Sequence, residues 1–430
     1  MTLGVIADDF TGATDVASML VRAGMRTVQL IGVPGDDVRT DADAVVIALK
    51  SRTTPAADAV RESLAALRWL RRAGMRQCYF KYCSTFDSTP AGNIGPVTEA
   101  LMQALDTDFT IACPAFPENG RTIYRGHLFV GDVLLSDSGM RDHPLTPMRD
   151  ANLVRVLQAQ CERRVGLLMH ADVAAGEARL RARTDALRGE GVGIAIADAL
   201  DNDDLRALAA ACVDMPLLTA GSGLALGLPP AYAARGWLVP DAHAADLGAM
   251  SGRAAVLSGS CSIATNAQVA AWRQAGRAAF AIDARALARG ESVAAQALQW
   301  ARDRIAREPV LIYATASTDE LQAVQADLGA AQAGALVEHC LAQVAAGLVD
   351  TLGVQRLVVA GGETSGAVVQ ALGVTRLRIG PAICPGVPWT RAEDRPEDHP
   401  LLLALKSGNF GGRAFFDEAL NWHPREQEPA

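Results

Sequence analysis

Short apolar, β-rich runs alternate with helix-period segments along most of this chain, and nearly every run ends in a polar or glycine-rich loop. The runs begin at Leu3–Ala7, Thr27–Ile31, Ala44–Leu49, Cys78–Tyr82, Phe109–Cys113, Gly166–Met169 and Gly193–Ala197. Segments with helical spacing, such as Pro55–Ala73 and Asn93–Leu105, lie between them. Strand–loop–helix repetition of this kind predicts an α/β fold with a largely parallel sheet. "TIYRGHLFVGDVLL", Thr122 to Leu135, breaks the pattern and predicts a β-hairpin with polar turns.

Around Pro229–Met250 the alternation relaxes into Pro, Gly and small residues, which predicts a linker. It then restarts with "AAVLSGS", "AFAID", "VLIYATAS", "RLVVAGGE", "LRIG" and "LLLALKSG", with an Ala-rich helix at about Gln332–Leu348. The tail after Phe416 is polar and read as peripheral. A length of 430 residues fits two such domains. The expected boundaries are 1–235 and 250–425.

A formal charge of −8 and the lack of any Arg/Lys run argue against nucleic acid or an anionic membrane as partner. The N-terminus enters a strand pattern without a basic leader, and no membrane span is expected. Eight scattered cysteines form no CxxC pair and seven dispersed histidines no HExxH, so neither disulfides nor zinc are expected. This reads as a cytoplasmic protein. Only Lys50, Lys81 and Lys406 are lysines among 40 basic residues, and each closes a strand-like run with serine close behind. Where Arg is the default, a Lys at a strand end is a candidate for anion or phosphate work.

In open α/β sheets ligands bind beyond the carboxyl ends of the strands. The first domain delivers "ADDFTGATD", "LKSRTT" and "KYCSTFDSTPAGNIG" there. An N-cap explains one Asp of the first loop well and two adjacent ones poorly. Carboxylates and amides suit hydroxyls, and Lys50, Arg52 and Lys81 suit a carboxylate, so the mixture fits a small hydroxylated acid. The second domain delivers "LSGSCS", "VVAGGETSGA" and "LKSGNFGG". Glycine lets backbone N–H groups approach an anion, and three such loops would cradle nucleotide phosphates. Each loop alone is more simply an ordinary strand-to-helix turn. No Gly is followed by Lys, so there is no Walker A loop. No serine sits in a G-x-S-x-G elbow, and "GSGLALG" (Gly221–Gly227) is read as a turn.

In order, "GVIADDFTGATD", "FKYCSTFDSTPAGNIGPVTEALM", "VVAGGETSGAV" and "ALKSGNFGG" resemble the four-carbon acid sugar kinase family from Gly4 to about Phe416. "DSTPAGN" (Asp87–Asn93) and "SGMRDHPLTPMRDANL" (Ser138–Leu153) are similar to its 3-oxo-tetronate kinases, with Ala91 where a basic residue is expected. Threonate or erythronate kinase is the neighbouring alternative.

The resemblance implies two α/β domains, each a mostly parallel sheet flanked by helices, with the active site in the cleft between them. It implies a small sugar-acid substrate, ATP and Mg²⁺, names no direct metal ligand, and leaves a homodimer open. The acid is expected at Asp8, Asp9, Thr11, Lys50, Ser51, Arg52, Lys81, Ser84, Asp87, Ser88 and Asn93. ATP is expected at Ser258, Gly361, Gly362, Glu363, Thr364, Lys406, Ser407 and Gly408. One of Asp8 and Asp9 would orient the attacking C4 hydroxyl; Asp15 would cap or pair. A non-catalytic sensor of sugar acid and nucleotide, or a Lys81 Schiff-base aldolase or isomerase, are the readings from other classes.

Overall fold

The computed structural model describes residues 1–143, 145–316 and 329–422. Ser317 of the expected "VLIYATAS" run, Pro144 of the Ser138–Leu153 motif and residues 423–430 of the expected tail lie outside the described residues. Two compact units divide at Ala245/Asp246.

The first unit is built on β1 (Leu3–Ala7), β2 (Thr27–Ile31), β3 (Ala44–Ala48), β4 (Gln77–Lys81) and β5 (Thr110–Cys113). After β6 (Arg121–Tyr124), β7 (His127–Val130) and β8 (Val133–Leu134) come β9 (Arg164–Leu168), β10 (Val192–Ala197) and β11 (Leu217–Ala220). The main sheet runs β2-β3-β1-β4-β11-β5-β10-β9, and all its pairs are parallel. Its central strands are buried along their whole length, as parallel strands covered on both faces must be. Helix Ala56–Arg72 covers one side with Ala59, Ser63, Ala66, Leu67 and Leu70, spaced by three and four residues. Helix Phe10–Arg22 is buried from Thr11 to Val21.

Three local expectations are corrected. The hairpin at 122–135 is a three-stranded antiparallel sheet, β6-β7-β8. The start of the expected linker is a helix, Leu228–Ala234, with proline in its first turn, where a missing N–H costs nothing. Strand β11 goes unread because it is only four residues long and follows Pro216.

The second unit contains β12 (Arg253–Ser258), β13 (Ala279–Ala281), β14 (Val310–Tyr313), β15 (Val354–Ala360), β16 (Arg376–Cys384), β17 (Val387–Ala392) and β18 (Leu402–Lys406). The order is β13-β14-β12-β15-β18-β17-β16. The first five strands are mutually parallel, and β17 pairs antiparallel with both β18 and β16. The sequence reading lacks β17, whose Pro388 hides a strand signal. Trp272, Trp389, Phe415 and Phe416 close this unit's core over Val256, Val358 and Ala404. Among the described residues no helix is long and apolar enough to cross a membrane.

Candidate active site

The carboxyl ends of β1, β3 and β4, adjacent in the sheet, bring the acidic and basic loops of the first unit together. Asp9 is the N-cap of helix Phe10–Arg22, in extended conformation, and its carboxylate accepts from Gly12 N at 3.2 Å. Thr11 Oγ1 donates to Asp9 Oδ2 at 3.0 Å. Its neighbour Asp8, the residue after β1, keeps the pairing to β4, with its N–H donating to Lys81 O at 3.1 Å. Its backbone carbonyl accepts from Ser51 N and Arg52 N at 3.0 and 3.2 Å, which draws the turn after β3 against it.

Arg52 is the hub. It grips Asp8 bidentately, Nε to Oδ2 at 2.9 Å and Nη2 to Oδ1 at 2.7 Å. The same Nη2 reaches Asp9 Oδ1 at 2.7 Å, and Nη1 lies 3.7 Å from Asp87 Oδ2. Planar fork geometry is what Arg offers and Lys does not. The two adjacent aspartates are pushed in opposite directions. Burial raises the Asp8 carboxyl, and Arg52 offsets this only in part. Burial also acts to raise Asp9, but Arg52, Lys81 and the bonds from Thr11 and Gly12 outweigh it and hold that carboxyl below its usual range. Asp9 is also the more open of the two side chains, 26% exposed against 7%.

Asp87 reaches the cluster through backbone strain. Phe86 and Asp87 have φ of 65° and 46°, a conformation that non-glycine residues rarely adopt, least of all a buried Phe. Thr85 Oγ1 donates to Asp87 Oδ1 at 2.7 Å and orients it. Asn93 spends its amide on the carbonyls of Ser51, Arg52 and Thr54 at 2.7, 3.2 and 2.9 Å, so it holds the Arg52 turn in place. Ser88 Oγ accepts from Gln160 Nε2 at 2.9 Å. Gln160 also binds Thr89 O and Gly95 N, and no local signal in the sequence points to it. Asp8, Arg52, Asp87, Ser88, Ser51 and Asn93 enclose a cavity of about 10 Å³, room for about one water. Ser84 is half-buried on the same loop, while Lys50 is exposed. Ala91 is exposed as well.

In the second unit the three glycine-rich loops follow β12, β15 and β18, which are neighbours in the sheet. Gly361, with φ 127°, is the N-cap of helix Gly362–Ala371 and donates to Lys406 O at 2.9 Å. A Cβ on Gly259 would stand 2.2 Å from Thr364 Oγ1, and one on Gly408 2.4 Å from Ser260 Oγ. Only glycine lets the loops approach so closely. Glu363 and Thr364 stand in the first turn of helix Gly362–Ala371, whose N-terminus carries a partial positive charge. Ser262 caps helix Ile263–Gln274 and, with Thr265, donates to Gly408 O at 2.6 and 2.8 Å.

Two residues expected at the nucleotide are buried and hydrogen-bonded within the protein. Ser258 is fully buried, its hydroxyl paired with Thr315 at 2.6 Å. Lys406 is fully buried too. Its ammonium donates to Thr265 Oγ1, Ser407 O and Gly408 O, each at 3.0 Å. All three donors are thus spent on shaping the Ser407–Gly408 turn, and burial lowers the Lys406 pKa to about 8. The sequence reading lacks Thr265 and the grip of Ser262 on Gly408, whose partners lie more than 140 residues away.

A broader cavity, about 810 Å³, lies at the other end of the first unit's sheet, beside Phe109, Arg163 and Pro216 at the amino ends of β5, β9 and β11. It contains none of the residues above. As for a metal, the described residues hold no group of three or more His, Cys, Asp or Glu placed to bind one. Asp8, Asp9 and Asp87 are turned onto Arg52 instead. Among the described residues the chain thus builds no dedicated cage for Mg²⁺.

Residues 3–228 match the family model described as a sugar-binding N-terminal domain, and residues 255–416 match the nucleotide-binding C-terminal domain. The chain belongs to the four-carbon acid sugar kinase family. It is 63% identical over 418 residues to 3-oxo-tetronate kinase of Burkholderia multivorans, covering 97% of this chain and 96% of that one. With the Salmonella typhimurium enzyme of the same name it shares 49% over 421 residues, 97% of this chain and 98% of the relative. A solved structure of a Salmonella typhimurium protein, 48% identical, aligns with TM-score 0.87 over 98% of this chain and 99% of that one. One from Haemophilus influenzae, 46% identical, aligns with TM-score 0.79 over 97% and 99%.

Proposed function

We propose that this protein transfers the γ-phosphoryl group of ATP to the C4 hydroxyl of 3-oxo-tetronate. The observation that carries the reading is the Asp8–Arg52–Asp9 cluster beside the Lys81 ammonium: fixed charge of both signs at the carboxyl edge of one sheet, with a glycine cradle built separately in the second unit. The full-length likeness to named 3-oxo-tetronate kinases supports the choice of acid.

In this reading Lys81 and Arg52 neutralise the substrate carboxylate. Asp9, the more open carboxylate, accepts the C4 O–H hydrogen bond and takes its proton as the oxygen–phosphorus bond forms and the bond to the ADP leaving group breaks. Asp8 anchors Arg52. Such transfer depends on positioning and charge neutralisation more than on a strong base, so a carboxyl held below its usual range suffices. The phosphates lie against the backbone of Gly361–Gly362 and of Ser407–Gly408, with Glu363 and Thr364 beside them; Lys406 acts by holding its turn. Mg²⁺ would arrive on the phosphates with its own waters. The cytoplasm is the expected compartment, and a homodimer is testable by light scattering.

Asp9→Asn tests the assignment. Turnover should fall by about 10²-fold or more, with ADP affinity by calorimetry unchanged. Full turnover would remove Asp9 from the chemistry.

A further inference from the structure

Asp9, Gly12 and Asp15 recur at intervals of three residues in "DFTGATD", which sets them on one face of helix Phe10–Arg22. The Lys81 ammonium lies against that face. A Cβ at Gly12 would stand 2.1 Å from Lys81 Nζ and 2.2 Å from Asp9 Oδ1. Lys81 is 3% exposed, yet the described residues offer its nitrogen no hydrogen-bond acceptor. Its ion pair with Asp9 Oδ1 spans 3.9 Å, too long for a hydrogen bond. A buried ammonium with unspent donors is costly unless something else receives them.

On the far side of Gly12, Asp15 is 5% exposed, and its Oδ1 is sealed from solvent without a hydrogen bond. Ser222, from the Gly221–Gly227 turn that follows β11, is its neighbour, and its hydroxyl acts with Lys81 to offset the burial of the carboxyl. Lys81 closes β4 in register with Ala220 of β11, so that turn and the ammonium share one end of the sheet. Burial raises the Asp15 carboxyl, and Lys81 is the charge that opposes this most. A buried carboxylate kept at this cost, six residues from the N-cap, is more than a capping group.

We propose that D-x-x-G-x-x-D at 9–15 is one positioning device, in which Gly12 makes room for the Lys81 ammonium and Asp9 and Asp15 flank it, leaving its hydrogens for oxygens of the acid substrate. The proposal rests on the reading that the first unit binds a sugar acid. Asp15 is a positioning residue, since its carboxylate is out of a ligand's reach and acts through Lys81.

Asp15→Asn keeps the shape and removes the buried carboxyl group. The melting temperature should hold or rise, KM for the acid should rise about tenfold, and KM for ATP should not change. In a Lys81→Met background the same substitution should have no further effect on KM, because the device is already broken. A lower melting temperature, equal changes in both KM values, or additive effects would make Asp15 a plain structural residue and overturn the proposal.

An arm independent of turnover uses the scarcity of lysine. Lysine labelled with ¹³C at the ε carbon gives three signals, and Lys81→Met assigns one. That signal should move in Asp15→Asn while those of Lys50 and Lys406 stay. An unmoved Lys81 signal contradicts the device even if no sugar acid is turned over. A moved signal with no turnover leaves the device standing and refutes the kinase reading instead.

Discussion

Arg52 shows how one residue can decide a site. It satisfies both aspartates of the opening loop, and its fork reaches Asp87 as well. Arg52→Lys should keep the charge yet lose turnover by about 10²-fold, since one ammonium cannot serve both faces of the pair; steady-state assay checks this. Lys406 gives a stability test with a definite sign. Its pKa is about 8 in the folded chain, against 10.5 for an ordinary lysine. Between those values the unfolded chain holds the proton that the folded chain has shed, so Lys406 makes stability rise with pH there. Denaturation of wild type and Lys406→Met at pH 7.5, 9 and 10 should show that rise in the difference between them. The sequence flagged all three lysines by their place at strand ends. Two prove buried and one exposed, because a place at a strand end does not say which loop folds over the side chain.

Strands and turns carry the next level. Gly361 has φ 127° and lies where a Cβ would come 2.9 Å from Thr364 Oγ1. Gly361→Ala should cost about 1–3 kcal/mol of local strain and weaken ADP binding, read by calorimetry, without affecting the acid. Trp389 on β17 is fully buried with its indole N–H unpaired among the described residues. Trp389→Phe should therefore be mild, while Trp389→Ala should cost about 3–5 kcal/mol in chemical denaturation. The parallel strands were readable because burial on both faces writes continuous apolar runs. Strands β11 and β17 were not, being short or interrupted by proline. The same limit applies to Gln160 and Thr315, whose partners lie 72 and 57 residues away. Contacts of that span leave no local pattern.

For the molecule as a whole, the sequence conveyed a division of labour: polar, charged strand ends in one unit and glycine-rich ones in the other. Both sets do gather at the carboxyl edges of their own sheets, as the chain direction of parallel strands requires. Cavity size would have misled, since the broad groove lies at the opposite, amino edge of the first unit's sheet. What strand ends cannot write is the configuration of a substrate's hydroxyls, which is read by side-chain placement within about an ångström. The most direct measurement is therefore ADP release with Mg-ATP and each of 3-oxo-tetronate, D-threonate, L-threonate and D-erythronate. The account predicts turnover with the oxo-acid and little with the rest. Preferred turnover of a threonate or erythronate, or no ADP with any of the four, would contradict it.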